Sequence, residues 1–270
     1  IKALNTELLT QYGKIDILWY DVSAPMESWE GWDSLERNQY LRSLQPHIII
    51  NNRSGLAEDF STPEGHVTAD KRDWEACMTF NDISWGYVDS EQAKPYSYNA
   101  QRIIKMLHTC AAGNGNLLLN IGPAPDGSVP PEAVEPLTTV GKWLSVNGAA
   151  VYGKLHNEKE GFFRGNGVCM ASADDKYVYL WNMIWPKSGT MGIGGYLTAP
   201  KSVSFIDGTP IDFEYRGHRI ILKNLPTEVP DKIAGVTVIR LEFDGLPKYV
   251  FASYYPQLHG GRDFAGDNKI

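Results

Sequence analysis

The chain has 270 residues, of which 43% are hydrophobic and 21% charged, a balance that excludes general disorder and allows one large domain or two ordinary ones. Its net charge of −7 comes without any dense basic block, which argues against a nucleic-acid partner. No apolar run approaches a membrane span, and 8 Trp with 14 Tyr supply flat rings that fill cores and also suit sugar faces.

Helical spacing predicts a first helix over 1–12, with Ile1, Leu4, Leu8 and Leu9 on one face. The chain enters this pattern abruptly, without an initiator Met, and reads as the later part of something longer. A strand follows over 14–20, where Ile15, Ile17, Leu18 and Trp19 suit a pleated surface and Asp21 stands at its end. A helix around Leu35–Leu44 precedes a buried strand from Pro46 to Arg53. A loop holding Pro63-Glu64-Gly65-His66 leads to a strand over Trp74–Phe80 and then Ser84-Trp85-Gly86-Tyr87. Ala100–Ala112 reads as a helix with Ile103, Ile104, Leu107 and Ala111 on one side, ended by Gly113. Asn116–Ile121 is a further strand with Leu117-Leu118-Leu119 inside, and Gly122–Gly127 is a loop. Pro130 and Pro131 suit the first turn of a helix that runs to about Asn147.

From about Lys154 the helical spacing stops. Short alternating runs at Val168–Ser172, Tyr177–Asn182, Ser202–Ile206, Ile211–Tyr215, Arg219–Leu222 and Val236–Glu242 predict an antiparallel β-sandwich. The stretch 248–270 has no clear period and reads as an irregular arm. Strand–helix alternation before Gly153 predicts a parallel sheet covered by helices, with about four strands where a (β/α)8 barrel has eight. The expected fold is therefore α/β plus all-β: the second half of a barrel over 1–153, a sandwich over 154–247, then the arm. A bare half-barrel exposes open sheet edges, so a complementary N-terminal half of the barrel is an expected partner.

The three cysteines, Cys77, Cys110 and Cys169, have no metal-ligand spacing and read as small buried thiols, which leaves the compartment open. The glycine stretches at 113–115 and 122–127 lack phosphate-loop spacing, so no metal and no nucleotide cofactor is expected. Strand ends and adjoining loops before Gly153 carry Trp19 with Asp21, Arg53, Glu64, Glu75 and Trp85. In a barrel such residues converge on one rim. Two carboxyls facing one cleft are the minimum equipment for glycoside hydrolysis, one ionised to attack and one protonated to assist departure. Each residue also has an ordinary alternative: Asp21 a turn cap, Arg53 a partner for a buried acid, Glu64 a solvated turn residue. Glu75 could equally be a paired acid supporting Arg53 or Arg72, and Trp74 and Trp85 could be core packing.

The order LWYD, INNR, TPEGHV, WEACMTF, SWGY and LLLNIGPAPDG resembles the family 29 α-L-fucosidases of the glycoside hydrolases over about Ile1–Gly153, and the strands after it resemble that family's C-terminal domain. The resemblance implies a retaining hydrolase that removes α-L-fucose from glycan ends through a covalent fucosyl intermediate, acting on a fucosylated oligosaccharide or glycoconjugate. It places the nucleophile on Asp21 and the general acid/base on Glu64, with Glu75 as competitor. It gives Arg53, Trp19 and Trp85 contacts with the sugar. Val22 stands where many members have Gly, and the family's sugar-holding histidines belong to a first half that this chain does not contain; His66 reads as a loop residue. The alternatives are a non-catalytic fucose-binding module and an α-L-galactosidase on the same scaffold.

Overall fold

The computed structural model of the chain describes residues 1–21, 26, 28–89, 91, 98–153 and 169–248, and combines helices with parallel and antiparallel sheets. The arm expected over 248–270 lies, beyond Lys248, outside the described residues.

The first part runs α1 (Lys2–Gln11), β1 (Ile17–Leu18), α2 (Ser34–Leu44), β2 (Ile49–Ile50), β3 (Glu75–Thr79), α3 (Ala100–Ala112), β4 (Asn116–Asn120) and α4 (Pro131–Asn147). β1 pairs with β2 and β3 with β4, both parallel, with Ile17 opposite Ile49 and Cys77 opposite Leu118. Between the two pairs lies a rung that the sequence reading treated as loop. Parallel bridges join Asn51 to Phe60, Ser61 to Trp74 and Glu64 to Cys77. Asp59 N donates to Ile50 O at 3.0 Å and Cys77 N to Pro63 O at 2.8 Å, so segment 59–65 continues the ladder from β2 to β3. Pro63 has no N–H to give but its carbonyl accepts, and Gly65 at φ +75° turns the chain away; these two residues are why the rung reads as a loop.

Side chains alternate across this sheet. Leu18, Ile48 and Ile50 pack with Leu9 and Leu41 beneath α1 and α2, while Met78 and Phe80 pack with Ile103 and Ile104 of α3. The opposite face carries Trp19, Glu75, Cys77 and Leu118. Two expectations are corrected here. Leu118 is not inside with Leu117 and Leu119 but 38% exposed, because its register with Cys77 puts it on the open face. On α1 the buried residues are Asn5 and Leu9, and Ile1, Leu4 and Leu8 are exposed. That helix docks through polar contacts, Asn5 Nδ2 to Tyr20 Oη at 3.1 Å and Gln45 Nε2 to Leu9 O at 2.8 Å, which an apolar stripe does not predict.

The later part is antiparallel. β5 (Cys169–Ala173), β6 (Tyr177–Asn182), β11 (Thr237–Glu242) and β8 (Ser202–Phe205) form one sheet in the order β5-β6-β11-β8. β7 (Met191–Gly194), β10 (Arg219–Leu222) and β9 (Phe213–Arg216) form another in the order β7-β10-β9. Both sheets feed one apolar core, with Val178, Leu180, Ile239 and Leu241 from the first and Ile193, Ile220 and Leu222 from the second. β7 was missed because its run, Met191-Gly192-Ile193-Gly194, alternates with glycine, which gives no strand signal. The outer face of the four-stranded sheet buries Tyr179, Trp181 and Val238 against Trp143 and Val140 of α4 and Ile104 of α3. Trp143 and Trp181 lie 5.1 Å apart by ring centroid, and Trp143 Nε1 donates to Val236 O at 2.8 Å. No described helix is long and apolar enough to cross a membrane.

Candidate active site

The open face of the parallel sheet holds a cleft of about 270 Å³ lined by Trp19, Asp21, Arg53, Glu64, Glu75, Cys77, Trp85 and Leu118. Each reaches it by a local device. The side chain of Asn51 accepts from Tyr20 N at 2.8 Å and donates to Tyr20 O at 2.9 Å, clamping the end of β1 so that Asp21 projects beyond it. Arg53 is not at a strand end as expected. β2 stops at Ile50 and Arg53 sits in a 3-10 turn, Asn52–Ser54, which swings its guanidinium across the rim. Glu64 ends the short rung described above.

Arg53 organises the cleft. Nη1 donates to Asp21 Oδ1 at 2.9 Å, Nη2 to Glu64 Oε2 at 2.5 Å, and Nε to Thr62 Oγ1 at 3.0 Å. Its guanidinium also lies 4.5 Å from the Trp19 ring centroid, a cation–π distance. One planar fork thus ties together two carboxylates that are 43 positions apart in sequence, counted from Asp21 to Glu64. Asp21 is 66% exposed while Arg53 is 17% exposed, so the acid faces the opening and the cation is held behind it. Trp85 closes the other side, its indole Nε1 donating to Glu64 Oε1 at 2.9 Å. Trp74, by contrast, is core, 2% exposed with Nε1 bonded to Gly113 O. Trp19 Nε1 is buried and has no hydrogen-bond partner among the described residues.

Glu75 differs from the acids beside it. The pairing with Arg53 or Arg72, one of its two readings, is not seen among the described residues: Arg53 bonds to Asp21 and Glu64, and Arg72 donates to the carbonyl oxygens of Ala57 and Glu58. Burial therefore raises the Glu75 carboxyl above its ordinary value. Burial, with help from the neighbouring Glu75, pushes the Cys77 thiol up to about 11, so at neutral pH it is an uncharged floor beside Leu118. His66 is exposed and does not line the cleft. Thr62, Cys77 and Leu118 were missed by sequence reasoning. Cys77 follows from Glu75 by strand alternation, and Leu118 follows once the β3–β4 register is known; nothing in the local pattern marks Thr62. Among the described residues no group of three His, Cys, Asp or Glu is placed to hold a metal ion.

A sequence profile for alpha-L-fucosidase matches residues 2–149, more than half of the chain. The chain belongs to the α-L-fucosidase family. It is 36% identical over 204 residues to an α-L-fucosidase of Branchiostoma floridae, covering 72% of this chain and 45% of that protein. Among solved structures it resembles α-L-fucosidase isoenzyme 1 from Paenibacillus thiaminolyticus, with a TM-score of 0.77, 26% identity, and coverage of 90% of this chain and 61% of that one. It also shares its fold with an α-L-fucosidase of family 29 from Bacteroides thetaiotaomicron, solved as a trapped covalent intermediate with 2-fluoro-fucosyl fluoride, at a TM-score of 0.68 and 23% identity over 88% of this chain and 59% of that one. The chain spans about half the length of the curated fucosidases it matches. The cleft described above falls within the matched region.

Proposed function

We propose that the protein is a retaining α-L-fucosidase in which Asp21 attacks the anomeric carbon and Glu64 serves as acid/base. The observation that carries this reading is the single guanidinium of Arg53 holding both carboxylates on one cleft, at 2.9 Å and 2.5 Å. In the first step a bond forms from an Asp21 oxygen to the anomeric carbon as the bond to the leaving oxygen breaks, and the acid passes its proton to that oxygen. In the second, the same group takes a proton from water, which displaces Asp21 and releases fucose with its configuration retained. Trp19 and Trp85 wall the sugar.

A second reading of the proton donor has its own support. Both oxygens of Glu64 already accept hydrogen bonds, whereas Glu75 lines the same cleft with a carboxyl that burial biases toward its protonated form. Azide separates the roles. With a 2,4-dinitrophenyl α-L-fucoside, Asp21→Ala should lose activity and regain it with azide as the β-fucosyl azide; recovery of the α-azide would give Asp21 another role. Glu64→Ala with azide should give the α-fucosyl azide, and that product from Glu75→Ala instead would move the acid/base to Glu75.

We also infer that residues 1–153 supply half of a (β/α)8 barrel and 154–247 a sandwich, the remainder of the barrel coming from a complementary N-terminal portion. Ile17 at 52% exposed, Ile49 at 42% and Leu118 at 38% form an apolar face on the open side of the sheet, where a closed barrel packs layered side chains. β1 pairs only with β2, and β4 only with β3, among the described residues, leaving both edges of the array open. A 270-residue monomer with full activity on a nitrophenyl fucoside would overturn this arrangement. Turnover of the α-L-galactoside in preference to the fucoside, or no turnover by the intact protein, would favour the other readings of the site.

A further inference from the structure

We propose that Asn120, at the C-terminal end of β4, is a positioning residue for Glu64 and acts through Trp85; the proposal rests on Glu64 being the acid/base. Trp85 is 41% exposed and belongs to no helix or strand, yet its indole N–H is one of the two donors that orient the Glu64 carboxyl. A partly exposed ring on an unsupported loop samples several rotamers and loses such a bond. The segment 79–87 is therefore informative for how it is held.

Asn120 Nδ2 donates to Trp85 O at 2.8 Å and lies 3.3 Å from Thr79 Oγ1. Thr79 Oγ1 in turn donates to Ser84 O at 2.6 Å. Asn81 Oδ1 accepts from Ile83 N and Ser84 N, both at 2.9 Å, folding the turn that precedes the ring. From the helix side, Asp82, at φ +57°, accepts from Tyr98 Oη at 2.9 Å and from Arg102 Nη1 and Nη2 at 2.9 Å and 3.2 Å. Beyond Asn120 the two segments run backbone against backbone: a Cβ on Gly122 would lie 2.3 Å from Gly86 O. The end of β4 is thus moulded to segment 85–87, and Asn120 is the side chain that bonds directly to the Trp85 backbone.

Asn120 does not line the cleft, and its bonds go to Trp85 and Thr79, so any effect on chemistry passes through the indole. A proton donor must meet the leaving oxygen within a fraction of an ångström, and a misplacement of about 1 Å costs up to about a hundredfold. Loosening Trp85 should therefore harm only the part of catalysis that depends on the proton. Departure of dinitrophenolate needs no proton, whereas departure of an alkoxide does.

The test is leaving-group dependence in the intact protein. Asn120→Asp keeps the shape and removes both N–H donors. It should lower kcat/KM for methyl α-L-fucoside about tenfold or more beyond any loss on the 2,4-dinitrophenyl fucoside, a fraction of the roughly 10²–10⁴ that proton assistance supplies. Thr79→Val, which releases the Ser84 carbonyl, should bias the two substrates in the same direction, as should Trp85→Phe. A general loss of folding would lower both substrates in parallel and lower the melting temperature. Parallel loss on both substrates in Asn120→Asp, or a bias in Trp85→Phe that is absent from both Asn120→Asp and Thr79→Val, overturns the proposal. Wild-type turnover of the dinitrophenyl substrate checks the underlying fucosidase reading separately. An acid/base role for Glu75 would appear as an unbiased Trp85→Phe, which also overturns it.

Discussion

At the scale of single residues, Arg53 carries more constraints than any other side chain of the cleft. It donates to Asp21, Glu64 and Thr62 while lying over the Trp19 ring. Lysine offers a point charge on a flexible stem and cannot make parallel bonds to two carboxylates from one plane. Arg53→Lys should therefore lower kcat/KM for a nitrophenyl α-L-fucoside by roughly 10- to 100-fold, the equivalent of about 1.5–3 kcal/mol for a hydrogen bond between charged groups. A loss below threefold would mean that the bridge has no part in turnover. Arg53 does pair with acids, and both of those acids line the cleft. For Glu75 no ion pair is seen among the described residues, and burial raises its carboxyl above the ordinary value.

At the scale of elements, the start of β3 is fitted closely against the turn after α3. Trp74, just before β3, inserts its ring under the turn Gly113-Asn114-Gly115, and its Nε1 donates to Gly113 O at 2.9 Å. A Cβ on Gly115 would lie 2.0 Å from Trp74 Cε2, so no side chain fits there without moving the indole. Overpacking of this kind costs about 1–3 kcal/mol, and a domain of this size loses roughly 2–4 °C per kcal/mol. Gly115→Ala should accordingly lower the melting temperature by several degrees in calorimetry. An unchanged transition would show that the Trp74 ring is free to relocate. Helices were the most legible elements, α3 and α4 above all, because 3.6-residue spacing and their Gly and Pro boundaries are local properties. The rung at 59–65 was hidden because Pro and Gly dominate its composition while its ladder bonds come from segments on either side.

At the scale of the whole molecule, the helices behind the parallel sheet and the four-stranded antiparallel sheet share one core. His108 of α3 sits in that junction, 5% exposed, with Nε2 3.0 Å from Ala171 O and its ring edge-on to Trp181. Burial lowers its pKa from 6.5 to about 4. As pH falls, the unfolded chain takes up this proton near 6.5 and the folded chain only near 4. Stability from this group is therefore complete above about pH 6.5, declines between 6.5 and 4, and declines no further below 4. Between pH 7.5 and 5.0 the loss is about 2 kcal/mol. Urea unfolding at those two values should show a correspondingly weaker pH dependence in His108→Gln, which keeps a donor for Ala171 O. Equal slopes for variant and wild type would show that the ring is protonated or solvated in the folded state.

The sequence by itself determined the kind of most main elements, β7 and the rung at 59–65 excepted, and the family, because hydrophobic period, end signals and the order of short motifs are written in neighbouring residues. It also marked Trp19, Asp21 and Arg53 at or near the ends of apolar runs, while Glu64 and Trp85 were marked by the resemblance of the motif order to the family. Only the tertiary structure decided that Arg53 bridges both acids from a 3-10 turn, that Leu118 faces the cleft, and that Asn120 holds Trp85. These depend on register and on backbone pairing between segments tens of residues apart, which no local pattern encodes.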